Sequence, residues 1–403
     1  RRLGTCRFDP FAFAESNPPS KTPFPQISHE WFAMSTNVNS RAFRRRDFLL
    51  ASATAIAATA VDLKPLAAAD SNDSNRVPLG LDGHSLRGMK WKAKQLIEFA
   101  AERRLDAVLL NSLNYFESLE ESHLLRLKDL ASRHEMRIYV GAGGICENAA
   151  KFSNKWGNAE EMLATGIRVA ASVGSPVVNV RIGSIADRFL EGGIQPRIDE
   201  AVRVLKASSK RAKDAGIKFG FENHAADLRS EELLELIEAV GTDVCGVMLD
   251  PGNGLWAMED PMLHLQALAP HVVCNSLRDY MVWESAEGAT FQWTAVGDGL
   301  MDVSTYVQTL AKSNPGMPVF VESISNSARP IPFLTHEHWK GYPNLKAADI
   351  VDFLKLCRRG HSIDVEKPAP GTDEKEFEQQ HQRTEFLKSI DYLRKHCNAG
   401  LKY

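Results

Sequence analysis

Eight short apolar runs, rich in β-branched residues, recur along the chain from Val77. They lie at residues 78–82 (PLGLD), 107–111 (AVLLN), 137–141 (RIYVG), 176–182 (PVVNVRI), 217–223 (IKFGFEN), 244–250 (VCGVMLD), 271–277 (HVVCNSL) and 317–323 (MPVFVES). Between them run longer segments of helical period. Trp91, Ala93, Leu96, Ile97, Ala100 and Ala101 form one apolar stripe with charges opposite, and Met162, Ile167, Val169, Ala170 and Val173 form another. Continuous apolar strands alternating with amphipathic helices predict a parallel sheet with helical crossovers. Eight such units predict closure into a (β/α)8 TIM barrel within residues 70–360. The alternative is an open doubly wound sheet, but no GxGxxG opens the first helix.

Two flanking segments differ from this pattern. Residues 361–403 begin as a Pro/Gly linker and continue as a charged amphipathic helix. Its stripe of Phe377, Phe386, Ile390 and Leu393 suits either the barrel or a second copy of the chain, and the pattern does not choose. Residues 1–69 contain three consecutive arginines, an apolar run from Leu49 to Val61, and then Ala67, Ala68 and Ala69, the three parts of an export signal. The run is shorter than the roughly 20 residues a hydrocarbon core requires, so no stable membrane span is expected in the mature chain. Arg45, Arg46, Asp47, Phe48 and Leu49 resemble the twin-arginine motif of bacterial Tat signals, which implies delivery of a folded protein to the periplasm. Met34 stands where such a signal would begin, and the cut is expected after about Ala69.

The 403 residues carry 48 Lys/Arg against 51 Asp/Glu, a net charge of -3, with no long basic run. Without residues 1–69, which hold nine Lys/Arg and five Asp/Glu, the balance is 39 against 46, near -7. Nucleic acid is therefore excluded as a partner, and a small neutral or polar ligand is expected. Cys146, Cys245, Cys274, Cys357 and Cys397 show no metal spacing and are expected to be buried free thiols.

In such a barrel the chemistry lies at the C-terminal ends of the strands. Those ends carry Asp82 and His84, Asn111, Arg181, Glu222 and His224, Asp250 and Asn253, Arg278 and Asp279, and Glu322. A carboxylate that closes an apolar run sits at a desolvated rim and requires a cation or a proton. Glu222, Asp250 and Glu322 are expected to converge on one mouth and to bind one divalent ion, Mn²⁺ or Mg²⁺, with Co²⁺, Zn²⁺ or Fe²⁺ open if an imidazole joins. The bland alternative for each acid is a helix N-cap or a rim salt bridge. Asp279 to Met301 is long for a βα connection and is expected to be a specificity loop, with Trp283 and Gln292 as sugar contacts.

The segments FGFENH, VMLDPGN, SLRDY with its later VGDG, and VFVES resemble strand ends of the sugar phosphate isomerase/epimerase family, the xylose isomerase-like TIM barrels. The resemblance covers Gly80 to Ala347. It implies that Glu222 and Glu322 both bind metal and exchange a proton with substrate, with Asp250 as a further ligand. The family's strand-seven histidine is here Ser276, and Asn253 stands where a DxxH pattern has its histidine. These departures leave a three-carboxylate site completed by water, recruitment of His224 or Gln292, or no metal.

The expected function is an exported sugar isomerase or epimerase without an organic cofactor. One glutamate would remove the proton α to a carbonyl and the other return it, while metal stabilises the enediolate. His84, Arg181, His224, Asn253, Arg278, Trp283 and Gln292 would contact the carbohydrate. Two alternatives use the same site: a keto-sugar or inosose lyase/dehydratase, and a non-catalytic sugar-binding barrel that has lost its metal. The AP endonuclease relatives of this barrel require a histidine-rich trinuclear site and a basic groove, which this chain does not supply.

Overall fold

The computed structural model describes residues 76–403 except Asp227. The expected export signal and the expected cut after about Ala69 lie outside the described residues. The strands are β1 (Leu79–Asp82), β2 (Ala107–Leu110), β3 (Arg137–Gly144), β4 (Val177–Arg181), β5 (Lys218–Glu222), β6 (Cys245–Leu249), β7 (Val272–Asn275), β8 (Asp279–Ser285), β9 (Gly288–Thr294), β10 (Val319–Val321) and β11 (Arg329–Ile331). The helices are α1 (Ala93–Glu102), α2 (Glu121–Arg133), α3 (Ala159–Val173), α4 (Gln195–Asp214), α5 (Ser230–Val240), α6 (Pro251–Gly254), α7 (Pro261–Leu268), α8 (Val303–Ser313), α9 (His336–Trp339), α10 (Val351–Arg359) and α11 (Glu374–His396).

Eight parallel strands run in the order β10-β1-β2-β3-β4-β5-β6-β7. Each contains one of the eight apolar runs, the last being β10 because a hairpin intervenes. The seam between β7 and β10 is drawn together by a Leu277–Val321 bridge and by the side chain of Asn275. Asn275 Nδ2 donates to Pro318 O at 2.7 Å, and Oδ1 accepts from Phe320 N at 3.1 Å. The fold is thus a nearly closed TIM barrel. Leu109, Tyr139, Met248 and Phe320 help fill its interior. A Cβ on Gly80 would lie 2.5 Å from the Phe320 ring, so glycine is needed there for the facing aromatic to point inward.

Helix ends follow local chemistry. Asn158 caps α3 by accepting from Glu161 N at 2.9 Å while Glu161 Oε2 accepts from Asn158 N at 2.9 Å; left-handed Gly174 ends the helix. The five cysteines among the described residues are free and buried, as expected. No described helix is long and apolar enough to cross a membrane.

Residues 279–301, expected as a loop, contain a hairpin: β8 pairs antiparallel with β9, and β11 adds a third strand. The segment alternates side chains with a period of two, which an irregular loop would not need.

The apolar side of α11 lies against the barrel. Phe386, Ile390 and Leu393 are buried, and Phe386 meets Phe99 of α1 with ring centroids 6.0 Å apart. Ser389 Oγ accepts from Val296 N at 3.0 Å. These three positions of the stripe are therefore occupied by the barrel, while Phe377 is half-buried. Phe386→Ala is expected to cost about 3–5 kcal/mol, the range for emptying a buried aromatic site. Urea unfolding would show it; an unchanged midpoint would mean that the helix does not stabilise the barrel.

Candidate active site

The strand ends bring four carboxyl groups, Asp82, Glu222, Asp250 and Glu322, together with two guanidinium groups, Arg181 and Arg278. Asp250 follows β6 and caps α6, its Oδ1 accepting from Asn253 N at 3.1 Å and its Oδ2 from Asn253 Nδ2 at 2.8 Å. Asn223, next to Glu222, continues the β5–β6 ladder with its side chain. Its Nδ2 donates to Asp250 O at 2.8 Å and its Oδ1 accepts from Asp250 N at 3.0 Å. Beyond β7, Arg278 places Nη2 2.8 Å from Asp250 Oδ2 and 2.6 Å from Glu322 Oε2. Burial opposes the arginine's charge, but Asp250 and Glu322 outweigh it and hold the group firmly protonated. The guanidinium carbon lies 4.1 Å from the ring centroid of Trp293.

Ser276 bridges two acids, its Oγ lying 2.7 Å from Glu322 Oε2 and 3.0 Å from Asp82 Oδ2. A hydroxyl has one proton, so both contacts are hydrogen bonds only if one carboxyl brings its own. Asp82 is that carboxyl: burial first, and then the charge of Glu322, raise its pKa well above the usual carboxylate range. Burial would also raise Glu322, but Arg278, followed by His84 and Ser276, pulls its pKa down to about 2.

Glu222 is held more loosely. Arg181 Nη1 is 3.9 Å from its Oε2, and Asn253 Nδ2 is 3.5 Å from its Oε1. Burial raises its pKa, against the pull of Arg181. His224 Nδ1 donates to Gly183 O, which leaves Nε2 as the acceptor; burial and then Arg181 lower its pKa to about 3, so it is neutral at physiological pH.

A cavity of about 940 Å³ opens above this cluster. Of the expected residues, His84, Asn111, Arg181, Glu222, His224, Asn253, Arg278 and Glu322 line it, and the Asn111 side chain also pulls the Glu222 pKa down against burial. Asp250 does not; it is buried beneath Arg278. Trp283 and Gln292 do not line it either. Strand parity explains why: Met281 faces Gln292 and Trp283 faces Thr290 across the hairpin, whereas Tyr280 faces Trp293. Trp293 is therefore on the cavity side, and Gln292 on the other face donates to Ile363 O at 2.6 Å. The sequence reading missed Trp293 as a wall, together with Arg87 and Lys90 beyond β1 and Arg329 on β11.

The expected metal does not fit the side chains as they stand. An ion bound by Asp250 and Glu322 would sit about 2.0–2.6 Å from their oxygens. Arg278 Nη2 already bridges those same two atoms. Of the alternative ligands, Gln292 is engaged with Ile363 O, whereas His224 holds Nδ1 to Gly183 O and keeps Nε2 free to accept, one imidazole that does not displace Arg278 from between the two acids. Among the described residues, no group of three or more His, Cys, Asp or Glu side chains is placed to hold an ion.

The chain is 26% identical over 130 residues to 3-oxo-isoapionate decarboxylase of Pectobacterium atrosepticum, covering 32% of this chain and 47% of that protein. It is 23% identical over 210 residues to the uncharacterized protein YihM of Escherichia coli K12, covering 51% and 58%. The chain thus spans about half the length of the curated relatives it matches. A crystal structure of D-psicose 3-epimerase in the presence of D-fructose superposes with a TM-score of 0.52 at 14% identity, covering 80% of this chain and 99% of that one, a likeness of fold alone. Residues 97–357 match the family described as xylose isomerase-like TIM barrel, and with the nearly closed eight-stranded barrel this places the chain in that family.

Proposed function

We propose that the protein is a carbohydrate isomerase that moves a proton between neighbouring carbons at a carbonyl, with Glu222 as proton carrier and Arg278 as fixed electrophile. The observation that carries this reading is the asymmetry of the two cavity glutamates. Glu322 is clamped by Arg278 and Ser276 and stays ionised, whereas Glu222 has looser partners and a raised pKa suited to giving and taking a proton. One proton carrier serves an isomerase, which can return the proton on the face it came from. Inversion at carbon would require a second carrier, and Glu322 is poorly placed for that task.

The chemistry can be followed through this chain's own groups. Arg278 lines the cavity while its Nη2 meets the two acids, so another N–H of the guanidinium can donate to the carbonyl oxygen. As Glu222 removes the α-proton, negative charge develops on that oxygen, and a guanidinium fixed before the reaction stabilises it without reorganisation. Glu222 then gives the proton to the former carbonyl carbon, while the hydroxyl proton on the α-carbon passes to the first carbonyl oxygen, so that the second oxygen becomes the new carbonyl. Arg181, Asn253 and the neutral His224 supply hydrogen bonds to hydroxyl groups. The lining includes Arg87, Lys90, Lys92, Arg181 and Arg329, so a sugar bearing an acidic group suits this mouth better than the neutral ligand suggested by net charge.

A lyase is the second reading. It is supported by the alignment with the decarboxylase, because an enediolate held by Arg278 can equally be formed by loss of a leaving group and then protonated by Glu222.

Incubation with neutral and acidic keto and aldo sugars in D₂O tests both readings. An isomerase should place deuterium on the carbon beside the carbonyl and yield the isomeric sugar. A lyase should yield a smaller or dehydrated product. Tight binding of a sugar with neither exchange nor product would replace both readings with the sugar-binding barrel.

A further inference from the structure

We propose that Arg278 is a resident substitute for a divalent ion, so that this barrel keeps the carboxylates of a cation site but closes that site against metal. The inference rests on the isomerase reading only for what the cation does in the reaction; its occupancy of the site is independent of that.

Three features fix the guanidinium in the position an ion would take. Its Nη2 lies between Asp250 Oδ2 and Glu322 Oε2, at 2.8 and 2.6 Å, so two acids from different strand ends share one positive group. Its opposite boundary is the Trp293 indole, whose Nε1 donates to Gly252 O at 3.0 Å. A Cβ on Gly252 would stand 2.5 Å from Trp293 Nε1 and 3.1 Å from Arg278 Cβ, so glycine there lets both side chains approach the turn after β6. The third feature is Ser276. It lies on the same side of the site, 2.7 Å from Glu322, and offers a hydroxyl where an ion would require a stronger ligand.

The exchange of an ion for arginine has chemical consequences. A guanidinium remains charged at any pH the fold survives and needs no loading, whereas an ion is lost when its carboxylates protonate or a chelator competes. It offers hydrogen bonds to a carbonyl oxygen in place of direct coordination. Arg278 Nε is buried without a partner, a cost of the kind a fold retains for a group needed in that position.

The test is Mn²⁺ titration followed by the loss of the free-ion EPR signal, using wild-type protein and the double variant Ser276→His/Arg278→Ala. The wild type should leave the Mn²⁺ signal unchanged, and neither EDTA nor added Mn²⁺ should move its Tm. The double variant removes the bridging nitrogen and adds an imidazole, so it should bind about one Mn²⁺ per chain and gain Tm with it. Stoichiometric binding by wild type that is lost in Asp250→Asn would overturn the proposal. So would a folded double variant that binds nothing, because the carboxylates would then not be a cation site at all. If the double variant cannot be purified folded, the wild-type titration decides alone. These readouts need no substrate: failure of every sugar to exchange in D₂O would remove the isomerase reading and leave the metal result standing.

Discussion

Glu222→Gln is expected to lower solvent deuterium incorporation by about 10²-fold or more, the usual scale for losing a general acid/base group, while leaving the fold at least as stable as wild type. Glutamine keeps the size of the side chain but offers one acceptor oxygen to two donors, Asn253 Nδ2 and Arg181 Nη1, so it removes the ionisable group and gives up one of two contacts that are already long. The sign of the stability change follows from the pKa. A carboxyl whose folded-state pKa is raised favours folding most below its unfolded value, near 4.5, and loses that contribution as pH rises through the folded value. At neutral pH the wild type bears the cost of a buried charge that glutamine does not have. The acid limb of the wild-type pH–rate profile should accordingly lie above the ordinary carboxylate range, because Glu222 must be deprotonated to act as base. Glu322→Gln should behave differently, losing stability together with rate, since it breaks the contact with Arg278. Exchange rates by NMR and urea unfolding from pH 4 to 8 measure both effects. A Glu222→Gln protein that exchanges at the wild-type rate would remove the residue from the mechanism.

The strands and their terminal acids were legible because each relies on a local pattern: an apolar run buried on both faces, then a polar residue at the rim. Glu222, Asp250 and Glu322 could be placed from that pattern without three-dimensional information. What they meet could not. Whether a guanidinium or an ion lies between Asp250 and Glu322 depends on the relative reach of the ends of β6, β7 and β10, which are separated by tens of residues. Arg278 therefore read as one hydrogen-bonding residue among several. The substitution at Ser276 was visible, but alone it could mean a weaker metal site or none.

The choice between Trp283 and Trp293 was lost for a different reason. Residues 279–294 show the alternation of a hairpin, turning at Ala286 and Glu287, and parity then puts Trp293 with Phe291 and Tyr280 on one face. Treating the segment as an irregular loop discarded that signal. Arg329 had no local signal at all, since it reaches the cavity on a strand that exists only by pairing with β9.

Removal of the guanidinium should be the most damaging single change at the site. Arg278→Ala is expected to destabilise the protein by about 3–5 kcal/mol, because deleting the cation leaves the Glu322 carboxylate as an uncompensated buried charge, whereas Asp250, whose pKa burial raises well above the usual carboxylate range against the pull of Arg278, can take up a proton. Asp250 is fully buried and Glu322 is 4% exposed, so water can reach them only through the space that the side chain vacates beneath the cavity, and it brings no positive charge. Lysine should rescue only in part: it restores the charge as a single point, without the planar group that reaches both carboxylates and stacks on Trp293. Adding Asp250→Asn and Glu322→Gln to Arg278→Ala should recover much of the loss, since it removes the charges that made the deletion costly. The difference between wild type and Arg278→Ala should also depend on pH. Glu322 has a folded-state pKa lowered to about 2 in the wild type, so its pairing stabilises the fold fully above the unfolded carboxylate value, and this is lost as pH falls through the folded one. The gap between the two unfolding midpoints should therefore be widest near neutral pH and narrow steadily below about pH 4.5. Urea melts of the single and triple variants measure every part of this. Equal midpoints for wild type and Arg278→Ala at pH 7 would show that the carboxylates are neutral without the arginine, and the guanidinium would then not be the group that holds their charge.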